Sequence, residues 1–409
     1  MEIKYPKIFY YITLWYRGAA YKDIDFMKDN FGGEIFYNNT VQLIESIKNN
    51  KPDLMVVFGD LKNDYLIPLK YNIPYILFEH DVMGIRTGQK EEIMRHDREK
   101  MENASAVIFT SEDHAQYYEE LNKKHNWRIP YYEIIHTRPL KKDLDFEPKE
   151  KLNGLHLVYA GGTVESRRKY GLFGYRYYGE IFRKFIEAGW KVHIYSASNN
   201  SARLGEYTNI GCIVHESLPY KDLLREMSQY TAGLHGYNKI GVPEAAYNYT
   251  QICRPNKLWD YLAAGIPTIG FQGGNGMKIY DGKWGIIIDN LEPETLKAIP
   301  ERLKEIKITK RMRYANVMDK DIKKFKKVIE MALEDAKKEK EKRYYVIPDK
   351  VKDATKFPNK IIVHNKGAHP VYRGGYIFAP GETTGELRVT MRTYKEIKSH
   401  VSLQIKIVE

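Results

Sequence analysis

Three polar residues near the start of a predicted helix have the chemistry of a nucleotide site. Asn256, Lys257 and Asp260 lie in the first turn and a half of the helical pattern over residues 254–264. A helix N-terminus offers unpaired N–H groups and a positive dipole, so a lysine there favours phosphate. Asp260 can accept hydrogen bonds from sugar hydroxyls. The pattern therefore predicts a site for a nucleotide or nucleotide sugar. The alternative is an ordinary amphipathic helix with its lysine in solvent.

A pair of glycines is a second candidate for phosphate binding. Gly161 and Gly162 come directly after a predicted strand, and Arg167 and Lys169 lie in the loop that follows. Glycines let a phosphate approach the backbone, and cationic side chains neutralise a diphosphate. We therefore expect the two glycines, with one of these two basic residues, to face the helix that carries Lys257.

His80 and Asp81 follow another predicted strand and are the catalytic candidates of the first half of the chain. A histidine can give or take a proton near neutral pH, and a neighbouring carboxylate can orient its ring. The alternative is a structural histidine.

No metal site is predicted. Asp-x-Asp triplets, which bind divalent metals in some sugar-nucleotide enzymes, begin at Asp23, Asp143 and Asp319. The chain has 53 acidic residues, so such triplets arise by chance. None of them follows a strand that clearly ends in a cleft, and we expect the protein to work without a bound metal.

The elements that would position these residues alternate between strands and helices. In the first half, continuous apolar runs cover residues 54–58, 75–78 and 106–109, with helical patterns at 40–49, 62–71, 90–103 and 112–124. This alternation predicts a parallel sheet covered on both faces, with ligands at the carboxyl ends of its strands. That edge would contain Asp60, His80, Asp81, Ser111 and Glu112.

The expected fold class is α/β, with two Rossmann-like doubly wound domains, a long C-terminal helix and a small appended β module. The predicted bounds are 1–140 for an N-terminal Rossmann-like domain, 141–153 for a linker, 154–305 for a C-terminal Rossmann-like domain that contains the nucleotide-sugar site, 306–343 for a charged helical segment and 344–409 for a small basic β module. Two such domains would enclose a cleft between their sheets.

Composition narrows the class of protein. Hydrophobic residues make up 43% of the 409 residues, and no stretch is long enough to span a bilayer. Residues 8–16 faintly resemble a signal peptide, but a first strand is expected there. With two cysteines, a disulfide framework or thiolate zinc site is excluded, and we expect a cytoplasmic protein, in the host cytoplasm if the source is viral.

The net positive charge is confined to the end of the chain. Residues 1–303 contain 39 basic and 39 acidic side chains, so the net charge of +12 lies entirely in residues 304–409. A basic segment attracts nucleic acid, anionic lipid or acidic glycan. The alternative is a lysine-rich helix whose charges are simply solvated.

The stretch Arg254–Gly270, RPNKLWDYLAAGIPTIG, resembles the P-N-K-L-x-(E/D)-Y-x-A-x-G-x-P signature of GT-B glycosyltransferases, most like family 4. Supporting similarities are VYAGG at 158–162, LPYKDLL at 218–224 and NASAVIFTS at 103–111. The resemblance covers roughly residues 50–340 and is most specific in the second half.

The resemblance implies transfer of a sugar from a nucleotide diphosphate donor, a UDP-sugar or GDP-sugar, with retention and without a bound metal or permanent cofactor. By position, Asp260 matches the residue that binds ribose hydroxyls, and Asn256 and Lys257 lie beside the phosphates. Arg167 or Lys169 would match a basic residue that neutralises the leaving diphosphate, and His80 a histidine near the transferred sugar. Many members carry a second acidic residue eight positions before the ribose-binding one, where this chain has Ile252; Glu244 could substitute.

The sequence therefore predicts a hexosyltransferase-like enzyme whose acceptor is left open among DNA, another polyanion and a surface glycan. A faint similarity of residues 79–98 to phage DNA glucosyltransferases, and of residues 374–382 to β modules of phage virion proteins, fits a viral source. The β module could also support an oligomer. The alternative function is a catalytically inactive GT-B scaffold that serves as a binding or phage structural protein.

Overall fold

A computed structural model describes residues 6–12, 19–58, 63–196, 201–338, 360–366, 371–373, 376–378, 383, 387–388 and 403–407. Asp60, one of the residues expected at the edge of the first sheet, lies outside these residues, as does most of the charged stretch after Lys338.

The first six strands form one parallel sheet. They are β1 (Ile8–Ile12), β2 (Glu34–Tyr37), β3 (Leu54–Phe58), β4 (Tyr75–Glu79), β5 (Ala106–Phe109) and β6 (Tyr131–Ile134), in the order β2-β1-β3-β4-β5-β6. The helices between them are α1 (Ala19–Phe31), α2 (Thr40–Asn49), α3 (Leu66–Lys70), α4 (Met83–Arg86), α5 (Glu91–Glu102) and α6 (Glu112–His125). The predicted parallel sheet is confirmed.

The apolar runs of this sheet are continuous because both of its faces are covered. All residues of β1, β3, β4 and β5 are buried. Successive residues of a strand belong to different cores. Val57 and Leu77 pack on one face of the sheet, and Val56 and Phe78 pack on the other. Polar side chains are therefore displaced to the ends of the strands, where His80 and Asp81 lie.

A second parallel sheet has the order β9-β8-β7-β10-β11-β12. Its strands are β7 (His156–Ala160), β8 (Lys191–Tyr195), β9 (Ile213–His215), β10 (Ala232–Gly236), β11 (Thr268–Phe271) and β12 (Gly285–Ile287). Its helices are α7 (Gly179–Glu187), α8 (Ser201–Asn209), α9 (Tyr220–Met227), α10 (Glu244–Ile252), α11 (Lys257–Ala264) and α12 (Pro293–Lys304).

The direction of winding of this second sheet reverses between β7 and β10. In open parallel sheets, ligands bind in the crevice at the carboxyl ends of the two strands at such a switch point. The Gly161–Gly162 pair follows β7, so the structure places it at this crevice.

The C-terminal helical segment returns to the first sheet. The long helical pattern is interrupted: α13 (Lys310–Ala315) and a 3₁₀ turn (Met318–Asp321) precede α14 (Ile322–Lys338). Phe325, Val328 and Ile329 of α14 are buried in the same core as Phe78. The apolar face of α14 therefore packs against the sheet that begins the chain.

The described part of the C-terminal region is antiparallel. Its strands are β13 (Lys360–Asn365), β14 (Val371–Arg373), β15 (Tyr376–Phe378), β16 (Leu387–Arg388) and β17 (Leu403–Ile407). β13 pairs with both β16 and β17, and β14 pairs with β15. Among the described helices, none is long and apolar enough to cross a membrane.

Candidate functional site

The helix that carries the proposed nucleotide residues starts later than predicted. α11 begins at Lys257, and Asn256 is its N-cap residue without a side-chain capping bond. Leu258, Tyr261 and Leu262 are buried, as the apolar spacing predicts. Gly265 has a φ of 76°, the left-handed conformation that ends a helix at low cost for glycine.

The Lys257 ammonium group lies directly against the glycine pair. Its Nζ donates to the Tyr159 hydroxyl at 2.9 Å and lies 4.0 Å from the centre of the Tyr159 ring. Gly161 has a φ of 154°, and a Cβ there would be 3.4 Å from Lys257 Nζ. Glycine thus keeps the turn open beside the cation. The two predicted phosphate-binding elements do meet at the switch point.

Burial alters the protonation of this lysine. Loss of solvation, reinforced by the positive charge of Arg176, lowers the pKa of Lys257 to about 7. The part-buried ammonium has a hydroxyl partner in Tyr159, and an anion in the crevice would favour its charged form.

A second cation reaches the same turn, and sequence reasoning missed it. Arg176 ends a short 3₁₀ turn, and its Nη1 would lie 3.6 Å from a Cβ on Gly162. Its guanidinium Cζ lies 5.5 Å from the ring centres of both Phe173 and Tyr175. The available signal was an arginine within an aromatic run close to the glycines.

The two basic residues predicted for this role lie elsewhere on the loop. The Arg167 side chain is 73% exposed and pairs with Glu165. Lys169 lies over the Tyr170 ring, 5.0 Å from its centre. Of the basic residues in this loop, the structure brings Arg176 to the glycine pair instead.

Asp260 is part-buried and already has two partners. Its Oδ1 accepts hydrogen bonds from the Tyr220 hydroxyl and from Lys22 Nζ, the latter at 3.2 Å. Lys22 belongs to α1 of the first sheet, and its Nζ also lies 4.2 Å from the centre of the Tyr220 ring. A ribose that used Asp260 would have to share this carboxylate with Lys22 or displace it.

His80 is held by a carboxylate other than its neighbour. His80 Nε2 lies 3.0 Å from Oδ2 of Asp23, which is fully buried on α1. The same oxygen accepts from the Thr137 hydroxyl at 2.8 Å, and the His80 ring stacks on Phe78. Asp23, which is itself held by Thr137, therefore orients the His80 ring. The sequence analysis had assigned this role to Asp81.

Asp81 instead pairs with a buried arginine. Arg86 Nη2 lies 2.9 Å from Asp81 Oδ2, and the Tyr249 hydroxyl donates to Oδ1. Burial alone would raise the pKa of Asp81, but the charges of Arg86 and Arg176 outweigh it and hold that pKa well below its usual range. Since Arg86 also lies 4.0 Å from the centre of the Tyr249 ring, this cluster joins the two halves.

The position expected to carry a second acid has another role. Ile252, at the end of α10, packs against the core of the first sheet. Glu244 is exposed at the first turn of the same helix. A further contact across the halves joins Arg254 Nη2 to Asp113 Oδ2 at 3.2 Å.

Each Asp-x-Asp triplet has a structural role. Asp23 holds His80, Asp143 accepts the Leu140 N–H at 2.9 Å, and Asp319 accepts the Lys141 N–H at 2.7 Å. Within the described residues, no group of three or more His, Cys, Asp or Glu side chains is arranged to hold a metal ion.

The arrangement is suited to holding a diphosphate between the halves. Two cations and the glycine pair meet at the switch point, and Lys257 is the first residue of α11, where a helix N-terminus favours an anion. His80 and Asp81 follow β4 of the first sheet, and the positive charge of Arg176 acts on Asp81 from the second half.

Comparison with solved structures identifies the fold. Anabaena Alr3699/HepE, in complex with UDP and glucose, is 11% identical over 80% of this chain and 99% of its own, with a TM-score of 0.53. A UDP-forming α,α-trehalose-phosphate synthase from Burkholderia xenovorans is 11% identical over the same shares, with a TM-score of 0.52. The chain therefore has the GT-B fold.

A longer neighbour is matched only in part. The pneumococcal O-GlcNAc transferase GtfA is 14% identical over 71% of this chain, with a TM-score of 0.49, and the chain spans 59% of its length. No protein-family model and no curated protein matches the sequence.

Proposed function

We propose that this protein is a glycosyltransferase that uses a nucleotide diphosphate sugar as donor. The observation that carries the proposal is the convergence of Lys257 and Arg176 on the Gly161–Gly162 turn at the switch point of the second sheet. A UDP-sugar is the first candidate donor because both neighbours described above with a TM-score over 0.5 are named with UDP. A GDP-sugar is the second.

The proposed roles follow from position and charge. Lys257, Arg176 and the first turn of α11 neutralise the diphosphate, and their charge stabilises it further as it leaves. Asp260 binds the ribose hydroxyls once Lys22 no longer donates to its carboxylate. Asn256 lies at the same helix end, beside the phosphates.

His80 is proposed to contact the transferred sugar, with Asp23 as a positioning residue. A histidine anchored by a buried carboxylate keeps one ring nitrogen engaged, which fixes the ring plane for the other. On the basis of the signature at residues 254–270, the proposal also includes retention of the anomeric configuration. It further includes transfer without a bound metal. The anomeric configuration of the product, read by NMR, tests it.

The experiment is a donor panel with matched variants. The full chain is incubated with UDP-, GDP- and ADP-sugars, and nucleotide release and binding are measured. We expect Lys257→Ala, Arg176→Ala and Asp260→Ala to abolish turnover while the chain stays folded. Arg183→Ala, which removes an exposed arginine of α7, is the control and should turn over like the wild type. Wild-type turnover in all three site variants would refute the assignment.

The acceptor is proposed to be DNA, another polyanion or a surface glycan. The net charge of residues 304–409 supports a polyanion. The proposal that the acceptor is DNA is tested by salt-dependent retention on duplex DNA. Retention of the full chain is compared with that of a chain ending at residue 343. Failure to bind duplex DNA at low salt would refute it.

A second candidate is a GT-B scaffold without activity that binds a partner. Two observations favour it. Ile252 packs on the core of the first sheet where an acidic residue was expected, and the Asp260 carboxylate already accepts a hydrogen bond from Lys22. Absence of binding and of nucleotide release with every donor would support this alternative, whereas release with any donor would exclude it.

A further inference from the structure

Two loops beside the glycine turn expose large apolar side chains. Ile240 is 71% exposed, Tyr170 66% and Leu172 37%. In the part of the chain that the structure describes, Ile240 and Tyr170 are the two most exposed large apolar residues. They follow β10 and β7, the strands of the switch point, so they lie at the same edge of the sheet as the candidate donor site. We call these three residues the loop patch.

Two hydrogen bonds and a ring contact join the two loops that carry the loop patch. The Asn238 N–H donates to the Tyr175 carbonyl at 2.9 Å, and its side-chain amide donates to the Gly174 carbonyl at 3.3 Å. The Tyr170 ring rests on Gly241, where a Cβ would lie 2.5 Å from it. The two loops therefore form one surface, and their apolar side chains project from a fixed base.

Basic side chains surround the loop patch. Arg167, Arg168 and Lys239 are exposed, and Lys169 stacks on Tyr170. Arg167 is paired with Glu165, and Glu244 is exposed nearby in sequence. Cations thus outnumber carboxylates in the segments 165–173 and 238–244. Apolar tips within a cationic rim match the chemistry of an anionic lipid interface, where the tips enter the headgroup layer and the cations meet phosphates.

We propose that the loop patch docks this protein on an anionic lipid surface. Exposed apolar patches on soluble domains mark interaction sites, and the surrounding charge selects an anionic partner. Docking through these loops would place the mouth of the cleft at the membrane, where a membrane-borne acceptor could enter. Vesicle binding by the loop patch requires no donor, so it can be tested apart from the proposed transferase activity.

The test is co-sedimentation of the full chain with vesicles of phosphatidylcholine containing about one third phosphatidylglycerol, an anionic surface. The apolar variant is Leu172→Ser with Ile240→Ser, and the charge variant is Arg168→Gln with Lys239→Gln. The control is Ile213→Ser, which removes an isoleucine that is 42% exposed on β9. Thermal unfolding of each variant verifies that it is folded.

We expect the wild type and the Ile213→Ser control to bind the anionic vesicles and not pure phosphatidylcholine, and both patch variants to bind at least about tenfold more weakly. Unchanged binding of the folded apolar variant would overturn the proposal, since it would place lipid binding elsewhere, for example in the basic end of the chain. A wild type that ignores vesicles but binds duplex DNA through the same residues would overturn it in favour of a nucleic-acid surface.

Discussion

Lys22 and Asp260 join the two halves of the molecule across the predicted ribose site, with 3.2 Å between Lys22 Nζ and Asp260 Oδ1. Because ribose hydroxyls would compete with this ammonium group for the carboxylate, Lys22→Met should strengthen nucleotide binding, by about threefold to tenfold for a part-buried ion pair. Calorimetric titration with UDP measures the change.

Lys28→Met is the matched control, since Lys28 is an exposed lysine on the same helix. It should leave the dissociation constant unchanged. Weaker binding by Lys22→Met alone would instead make Lys22 a direct nucleotide contact.

Donor binding should depend on pH through Lys257. Its pKa is lowered to about 7, because burial and Arg176 disfavour its charge, whereas a bound diphosphate favours that charge. The affinity for a UDP-sugar should therefore be highest below pH 7 and fall above it, by up to about tenfold per pH unit. A UDP-sugar is the suitable probe because its diphosphate carries no group that titrates near neutrality.

The affinity for the UDP-sugar is measured between about pH 6 and pH 9, a range that includes the pKa of Lys257. Lys257→Met should bind more weakly and lose this pH dependence. Lys297→Met, which removes an exposed lysine of α12, should keep it. The same slope in Lys257→Met and the wild type would contradict the assignment.

The Asp23–His80 pair should affect turnover more than donor binding. Asp23→Asn keeps the size of the side chain but removes the charge that holds His80. We expect kcat to fall by about tenfold to a hundredfold, with little change in the dissociation constant of the donor. Asp25→Asn, an exposed aspartate on the same helix, is the control and should behave as the wild type. Equal loss of donor affinity and kcat would point to a purely structural role.

The parallel sheets could be predicted because their central strands are buried on both faces. The strands β3, β4 and β5 are apolar runs, interrupted only by Glu79 at the end of β4, so the strand ends and the residues after them stand out in the sequence. For the same reason the Gly161–Gly162 turn and the start of α11 could be placed opposite each other. These are local patterns in which residue type and position both follow from burial.

Contacts between distant segments could not be predicted in this way. His80 was matched with the adjacent Asp81, but successive residues after a strand point in different directions. Asp23 reaches His80 from a helix that sequence patterns did not reveal, and Asp81 pairs with Arg86. Similarly, Arg176 was hidden because a turn in an aromatic run resembled the first turn of a helix. Tertiary packing, which has no local period, decides such pairs.

Asp81 should matter for stability, through Arg86. The Arg86 side chain is 1% exposed and pairs with Asp81 at 2.9 Å. Asp81→Asn leaves a buried guanidinium without its anion, so we expect the free energy of unfolding to fall by about 3 kcal/mol. Urea denaturation measures it, and Asp53→Asn, at an exposed aspartate, is the control. A change below about 1 kcal/mol would mean that water or Tyr249 replaces the carboxylate.

Three histidines in the second sheet form a hydrogen-bonded chain that should make stability depend on pH. His156 Nε2 lies 3.1 Å from the Asn153 carbonyl, His156 Nδ1 2.9 Å from His193 Nε2, and His193 Nδ1 2.9 Å from His215 Nε2. Since a carbonyl only accepts, His156 Nε2 must donate to it. The neutral rings of His156 and His193 then each donate once and accept once, and His215 Nε2 donates to His193.

Protonating the central ring breaks this pattern. Burial, helped by His215 and His156, lowers the pKa of His193 to about 4 from 6.5. Between these two pH values the unfolded chain therefore binds more protons than the folded chain. The contribution of His193 to the free energy of unfolding should be fully present above pH 6.5 and should be lost as the pH falls toward 4. For His193 the full loss is on the order of 3 kcal/mol. His193→Gln, which can still donate and accept, should flatten the dependence measured by urea denaturation between about pH 7 and 5, where most carboxylates stay ionised. His125→Gln, an exposed histidine of α6, should leave the slope unchanged; an equal slope in His193→Gln and the wild type would show that other groups cause it.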